Sequence, residues 1–246
     1  MPVIVFFVVL ALVLAATVLG LYLGRILPKH HLSEDSRTVI RAFMDLNALL
    51  ATVVLGLLIF SAKTSFDTKD TEWRHASANI IMLDRLLVDY GPETRDIGAR
   101  LRQAVTRKLA QIEQADPPAG ELIVRVDDMQ KEISALVPTD DAQRWLKSKA
   151  LDVGNEIARA RWFLIDEIDV EMPLPFLVIT VFWIALIFFS YGLISPINAT
   201  VLTVVVLCAI SLAAAIYLIL EMDRSVGGLI SISTEPLRQS LIELER

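Results

Sequence analysis

The 246-residue chain has one cysteine, Cys208, so no intramolecular disulfide is available to it. It also lacks the short motifs that carry familiar chemistry. There is no Gly-rich phosphate loop, no His-Glu-x-x-His and no Gly-x-Ser-x-Gly nucleophile turn. Its three histidines sit where no ligand role is needed, His30 and His31 in a loop beside an apolar run and His75 on a charge-rich helix. Asp127-Asp128 and Asp140-Asp141 read as a solvated face and a helix start rather than as calcium or acid–base sites. These absences argue against an enzyme and against a bound metal or other cofactor. A net charge of −6 argues against nucleic acid as a partner.

Charge is the feature most unevenly missing. Residues 3–24 and 46–62 carry none, nor do the 49 residues from Met172 to Leu220, whereas residues 63–171 hold 16 Lys and Arg and 21 Asp and Glu. With 54% hydrophobic residues, a mean hydropathy of +0.56 and only 21% charged residues, the chain is too apolar for an ordinary soluble domain. It divides into a part that faces lipid and a part that faces water.

The first apolar run, about 3–24, is long enough to cross a hydrocarbon core of about 30 Å. No Lys or Arg precedes it and it exceeds a signal-peptide core of roughly 7–15 residues, so a span is expected rather than a cleaved leader. A second span is expected at about 43–62, with Asp45 near its start at the headgroups. The 49-residue uncharged run would make one helix of about 74 Å, so it must fold back. Ser195-Pro196-Ile197-Asn198 is the turn that divides it into spans at about 176–194 and 199–220. Asn198-Ala199-Thr200 has the form of a glycosylation acceptor but lies too close to the membrane, and reads as part of that turn. Pro173 and Pro175 suit the start of the third span, and Glu221, Asp223 and Arg224 end the fourth.

The expected organisation is a first transmembrane hairpin over 1–62, a helical extramembrane domain over 63–172, a tight second hairpin over 173–220 and an amphipathic tail over 221–246. Basic residues leave its orientation open. Arg25, Lys29, Arg37 and Arg41 near one side are matched on the other by Lys63, Lys69, Arg74, Arg159, Arg161, Arg224 and Arg238.

Within the water-facing part, apolar residues recur at alternating intervals of four and three. The rows are Ala76, Ile80, Leu83, Leu87, Tyr90; Leu122, Val126, Met129, Ile133, Leu136; and Leu146, Ala150, Val153, Ile157, Ala160, Leu164. A less regular seam joins Leu101, Val105, Leu109 and Ile112. Gly91-Pro92, residues 116–120 and Val137-Pro138-Thr139-Asp140 separate them, which predicts an antiparallel bundle whose first and last helices continue spans two and three. Past Gly227-Gly228, Thr234-Glu235-Pro236 opens a short helix with the stripe Leu237, Leu241, Leu244, expected to dock on the bundle. The fold class is therefore an all-α membrane protein with four transmembrane helices and a helical bundle between the second and third.

Leu220-Glu221-Met222-Asp223-Arg224, then Gly228-Leu229-Ile230-Ser231-Ile232-Ser233 and Pro236-Leu237, together with Val54-Leu55-Gly56-Leu57-Leu58 and Phe66-Asp67, resemble the bacterial bestrophin-like domain family. The resemblance covers nearly the whole chain. Bestrophins proper are pentameric anion channels with an apolar neck on the second span, so the resemblance implies a homo-oligomer, a pentamer in the bestrophin manner, in the lipid bilayer of a bacterial inner membrane, with an anion as the conducted species. Where bestrophins carry Phe-Val-Leu-Gly-Phe, this chain reads Val53-Val54-Leu55-Gly56-Leu57, without either aromatic. No acidic cluster matches the calcium clasp of animal bestrophins, so calcium gating is not carried over. Leu49, Val53 and Leu57 share one helix face and are the expected constriction, with Asn47, Thr52 and Ser61 as polar neighbours. The same stripe also suits packing against lipid or another span. The alternative function is a non-conducting membrane scaffold or sensor that binds a protein partner through the long bundle seams, Ile157 and Leu164 included.

Overall fold

A computed structural model describes residues 2–28, 33–114, 123–124, 126–166, 174–196, 198–223, 233 and 235–244. Among these residues there is no strand. The helices are α1 (Pro2–Ile26), α2 (Glu34–Tyr90), α3 (Arg95–Gln114), α4 (Asp127–Ala135), α5 (Asp141–Asp166), α6 (Leu174–Ile194), α7 (Ala199–Asp223) and α8 (Glu235–Leu244), with a 3-10 turn at Pro92–Thr94. Four of them, α1, α2, α6 and α7, are long and apolar enough to cross a membrane. The chain is an all-α protein with four candidate membrane helices.

The residues fall into two compact units, 1–64 with 172–223 and 65–171 with 224–246. Helix α2 supplies residues to both. Its 57 residues make one unbroken helix of about 85 Å. No proline or glycine other than Gly56 interrupts it, and charged and polar residues of good helix propensity replace the apolar run after Ala62. The bundle's first helix therefore continues span two, as the polar but breaker-free stretch implies. The corresponding junction of α5 with α6 falls on residues 167–173, outside those described. At the other end α2 begins at Glu34, well before the apolar run. The Ser36 amide N–H donates to Ser33 Oγ (3.4 Å), and Glu34 and Asp35 occupy the first turn. That is an ordinary helix start, favoured by the helix dipole.

In the membrane unit α1 is the common partner, packed against both α6 and α7. Three glycines set the α1–α6 approach. A Cβ on Gly24 would lie 2.6 Å from the Leu193 carbonyl oxygen and one on Gly192 2.5 Å from the Thr17 carbonyl oxygen, and one on Gly20 would collide with the Phe189 carbonyl. Small residues let membrane helices approach backbone to backbone, where dispersion replaces the hydrophobic effect as the attraction. Val9 and Val13 of α1, Ile184 and Phe188 of α6, and Ala209, Ala213 and Ile216 of α7 form the buried cluster. The third and fourth spans are thus not simply a hairpin closed on itself, since each leans on α1. Asn198 starts α7 by accepting the Val201 amide N–H at its side-chain oxygen (2.8 Å) and the Leu202 amide N–H at its carbonyl (3.1 Å). The turn expected there is a helix cap as well.

The second unit buries the sequence seams against one another. Ile80, Leu83 and Leu87 of α2, Leu101 and Val105 of α3, Met129 and Ile133 of α4, and Val153, Ile157 and Leu164 of α5 share one core. Leu122 lies outside the described residues. Helix α8 packs on α3 and adds Leu237 and Leu244 to the same core. The Trp73 indole N–H donates to the Ser233 carbonyl (2.9 Å), and Arg85 pairs with Glu243 (3.5 Å). At the start of α5, Asp140 accepts the Gln143 amide N–H (2.7 Å) while the Gln143 side-chain oxygen accepts the Thr139 amide N–H (2.8 Å). The arrangement resembles a capping box in which the return bond goes to the residue before the cap, Thr139, rather than to the cap residue Asp140. Gln143 also donates to the Tyr90 carbonyl (3.1 Å), which ties the end of α2 to the start of α5.

The exposed face of α2 as candidate functional site

Successive residues of an α-helix turn by about 100°, so the orientation of α2 within the membrane unit follows from which residues it buries. Met44, Asn47, Ala51, Leu58 and Ala62 are buried and fall on one side. Leu58 and Ala62 pack against Ile219 of α7. Leu49, Val53 and Leu57 fall on the opposite side and are 62%, 54% and 62% exposed. Val39, Phe43, Leu46, Leu50 and Phe60, also exposed, extend that row at alternating intervals of four and three. The expected constriction residues therefore share one outward face, within a longer apolar stripe than the sequence reading picked out. The spacing of Val39, Phe43, Leu46, Leu50, Val53, Leu57 and Phe60 was the available signal, the same rule that identified the bundle seams.

The three polar residues do not stay together. Thr52 and Ser61 are exposed and flank the apolar row, one on either side. The Thr52 hydroxyl donates to the Ala48 carbonyl (2.7 Å), which satisfies it without a second helix. Asn47 is buried on the other side of α2, and its amide donates to the Phe43 carbonyl (3.0 Å). Within one protomer it faces neighbouring helices and not the Leu49–Val53–Leu57 row. The physical reason is angular. Asn47 lies about 120° around the helix from Val53, too far to share its face.

Gly56 lies beside this row, and a Cβ built on it would meet nothing within 4 Å. This separates it from Gly20, Gly24 and Gly192, whose lack of a side chain is explained by contacts inside the protomer. Among the described residues, no group of three His, Cys, Asp or Glu side chains is placed to hold a metal.

The seams of the second unit are not an outward-facing surface. Ile157 and Leu164, offered above as partner-binding residues, are fully buried in the protomer's own core. Replacing them with polar groups would open that core and so would not test a docking face. The large apolar side chains that α5 does leave exposed are Trp145 and Trp162.

No curated protein matches the chain. Its fold is similar to that of a bacterial bestrophin homologue from Klebsiella pneumoniae, solved as a point mutant, with a TM-score of 0.63 over 99% of this chain and 97% of that one. The two share 12% sequence identity, so the likeness is one of fold. A family model, the bestrophin-like domain, matches residues 11–237. With nearly all of its helices inside that match, the chain belongs to the bestrophin-like domain family.

Proposed function

We propose that the protein is an oligomeric membrane channel of the bestrophin type, conducting anions, in which α2 of each subunit turns the Leu49–Val53–Leu57 face toward a common axis. The observation that carries this reading is the position of that row, outward in the protomer and opposite the face with which α2 joins the other spans. Gly56 supports it. A glycine with open space around it has no packing reason inside its own subunit, whereas a neighbouring helix gains close approach there. Rings of apolar side chains gate by excluding water, so Leu49, Val53 and Leu57 serve as the constriction. Thr52 and Ser61 border it. Asn47 is assigned to packing within the subunit.

The test joins assembly to conduction. Purified protein is expected to be a symmetric ring, a pentamer in the bestrophin manner, and to pass chloride in reconstituted liposomes. Leu57→Ala and Val53→Ala widen and weaken the apolar ring, and each is expected to raise the flux several-fold at unchanged oligomer size. A monomer, or a two-fold dimer with no central path, overturns the proposal. The seams on which the scaffold alternative relied, Ile157 and Leu164 included, are internal to the protomer, so that alternative would need a different surface.

A further inference from the structure

Two adjoining cavities lie in the membrane unit near the 195–198 turn, of about 240 and 670 Å³, and they share Tyr191, Ser195, Val201 and Val205. The larger runs between the outer faces of α6 and α7. On α6 its wall passes through Phe188, Tyr191 and Ser195, and on α7 through Thr200, Cys208 and Leu212. Both sets follow helical spacing, so the cavity is a crevice along the two helices. Its cause is the packing already described. The glycines draw α6 onto α1, while Ala209 and Ala213 lean α7 onto α1 from another side, and the outer faces of α6 and α7 are left apart.

The crevice changes character with depth. At the turn end it carries the hydroxyls of Tyr191, Ser195 and Thr200; further along α7 its lining is Val204, Val205, Cys208 and Leu212 with Ser211, whose hydroxyl is already committed to the Leu207 carbonyl (2.9 Å). From Thr200 to Leu212 is about 18 Å along the helix, rather more than half of a hydrocarbon core of about 30 Å. That depth suits the tail of a lipid in one leaflet. An apolar gap of this size in a membrane-spanning unit is not left vacant, since every side chain lining it would forfeit its contacts on one side. Among the described residues, neither cavity is lined by Lys, Arg or His. A fatty-acid carboxylate would find no cation among these lining residues, whereas the ester and glycerol oxygens of a phospholipid need only hydroxyl donors.

We infer that this α6–α7 crevice is a binding site for one acyl chain of a bilayer phospholipid, with the lipid's polar end at Tyr191, Ser195 and Thr200. The inference does not depend on conduction.

The full-length protein is reconstituted into phosphatidylcholine vesicles containing a small fraction of phosphatidylcholine with a diazirine on one chain, then irradiated, digested and mapped by mass spectrometry. Labelling at Phe188, Cys208 and Leu212 is expected to exceed labelling of the exposed α1 residues Phe7, Val8 and Leu19 several-fold. Equal labelling of both sets overturns the proposal, because it describes ordinary lipid contact. Formation of a Cys208–Cys208 disulfide between subunits under mild oxidant also overturns it, since a second copy would then cover the crevice. So does loss of the labelling with excess palmitate, which would make the occupant a free fatty acid. Cys208→Trp, which fills the crevice from its wall, is expected to return Phe188 and Leu212 to the labelling level of α1. The wild-type map decides the matter even where that variant does not fold.

Discussion

Tyr90 shows how one atom can be at odds with its surroundings. The residue ends α2 and is buried, and among the described residues its hydroxyl has no hydrogen-bond partner. Burial first, then the charges of Glu93 and Asp140, push its pKa above the usual value of 10.0. A buried hydroxyl without a partner costs about 1–3 kcal/mol of desolvation, so Tyr90→Phe is expected to hold or raise the Tm. A pH effect follows as well. The raised pKa means the folded state keeps its proton after the unfolded chain has begun to lose its own. Stability is therefore full below about pH 10 and falls as pH rises through the folded pKa. Melts of wild type and Tyr90→Phe between neutral and strongly alkaline pH check this, with the tyrosine's share of the alkaline slope expected to vanish in the variant. None of it was legible in the sequence, where Tyr90 reads only as the last member of an apolar row. A row shows that a side chain is buried, but not whether its polar tip meets a partner.

At the scale of elements, legibility followed amphipathicity. In the second unit each helix has one apolar stripe and a polar remainder, so rows such as Ile80-Leu83-Leu87 and Val153-Ile157-Ala160 named their own buried faces. The spans α1, α6 and α7 are apolar all round, and nothing in their pattern says which side meets which helix. What did mark a face was the position of glycine: Gly20 and Gly24 on α1 sit one turn apart, opposite Gly192 on α6. That contact makes a sharp prediction. Gly20→Ala drives a methyl group into the Phe189 carbonyl, which as backbone cannot swing aside. Overpacking costs about 1–3 kcal/mol and more where the neighbour is rigid, so a clear fall in the detergent melting temperature is expected. Gly56→Ala, made for comparison, meets nothing in its own subunit and is expected to leave the melt of the isolated protomer unchanged.

The whole molecule, on the proposed reading, is a ring, and ring symmetry can be tested through thiol chemistry. Cys208 is the chain's only cysteine, so Cys208→Ala combined with Val53→Cys leaves one thiol per subunit. A disulfide needs Cβ atoms within about 3.5–4.5 Å. If Val53 lies at a closed constriction, neighbouring copies meet that condition, whereas Ala51, on the buried side of α2 about 160° around the helix, points away from the axis and its cysteine variant should not cross-link. Each thiol can pair only once. A ring with an odd number of subunits must therefore keep at least one unpaired thiol, however long the oxidant acts. On a non-reducing gel the Val53→Cys protein is expected to give a dimer band together with a monomer band that further oxidation does not remove. An even ring would pass entirely to dimer, and a lipid-facing Val53 would give no dimer at all, so the gel tests the axis and the parity of the ring together.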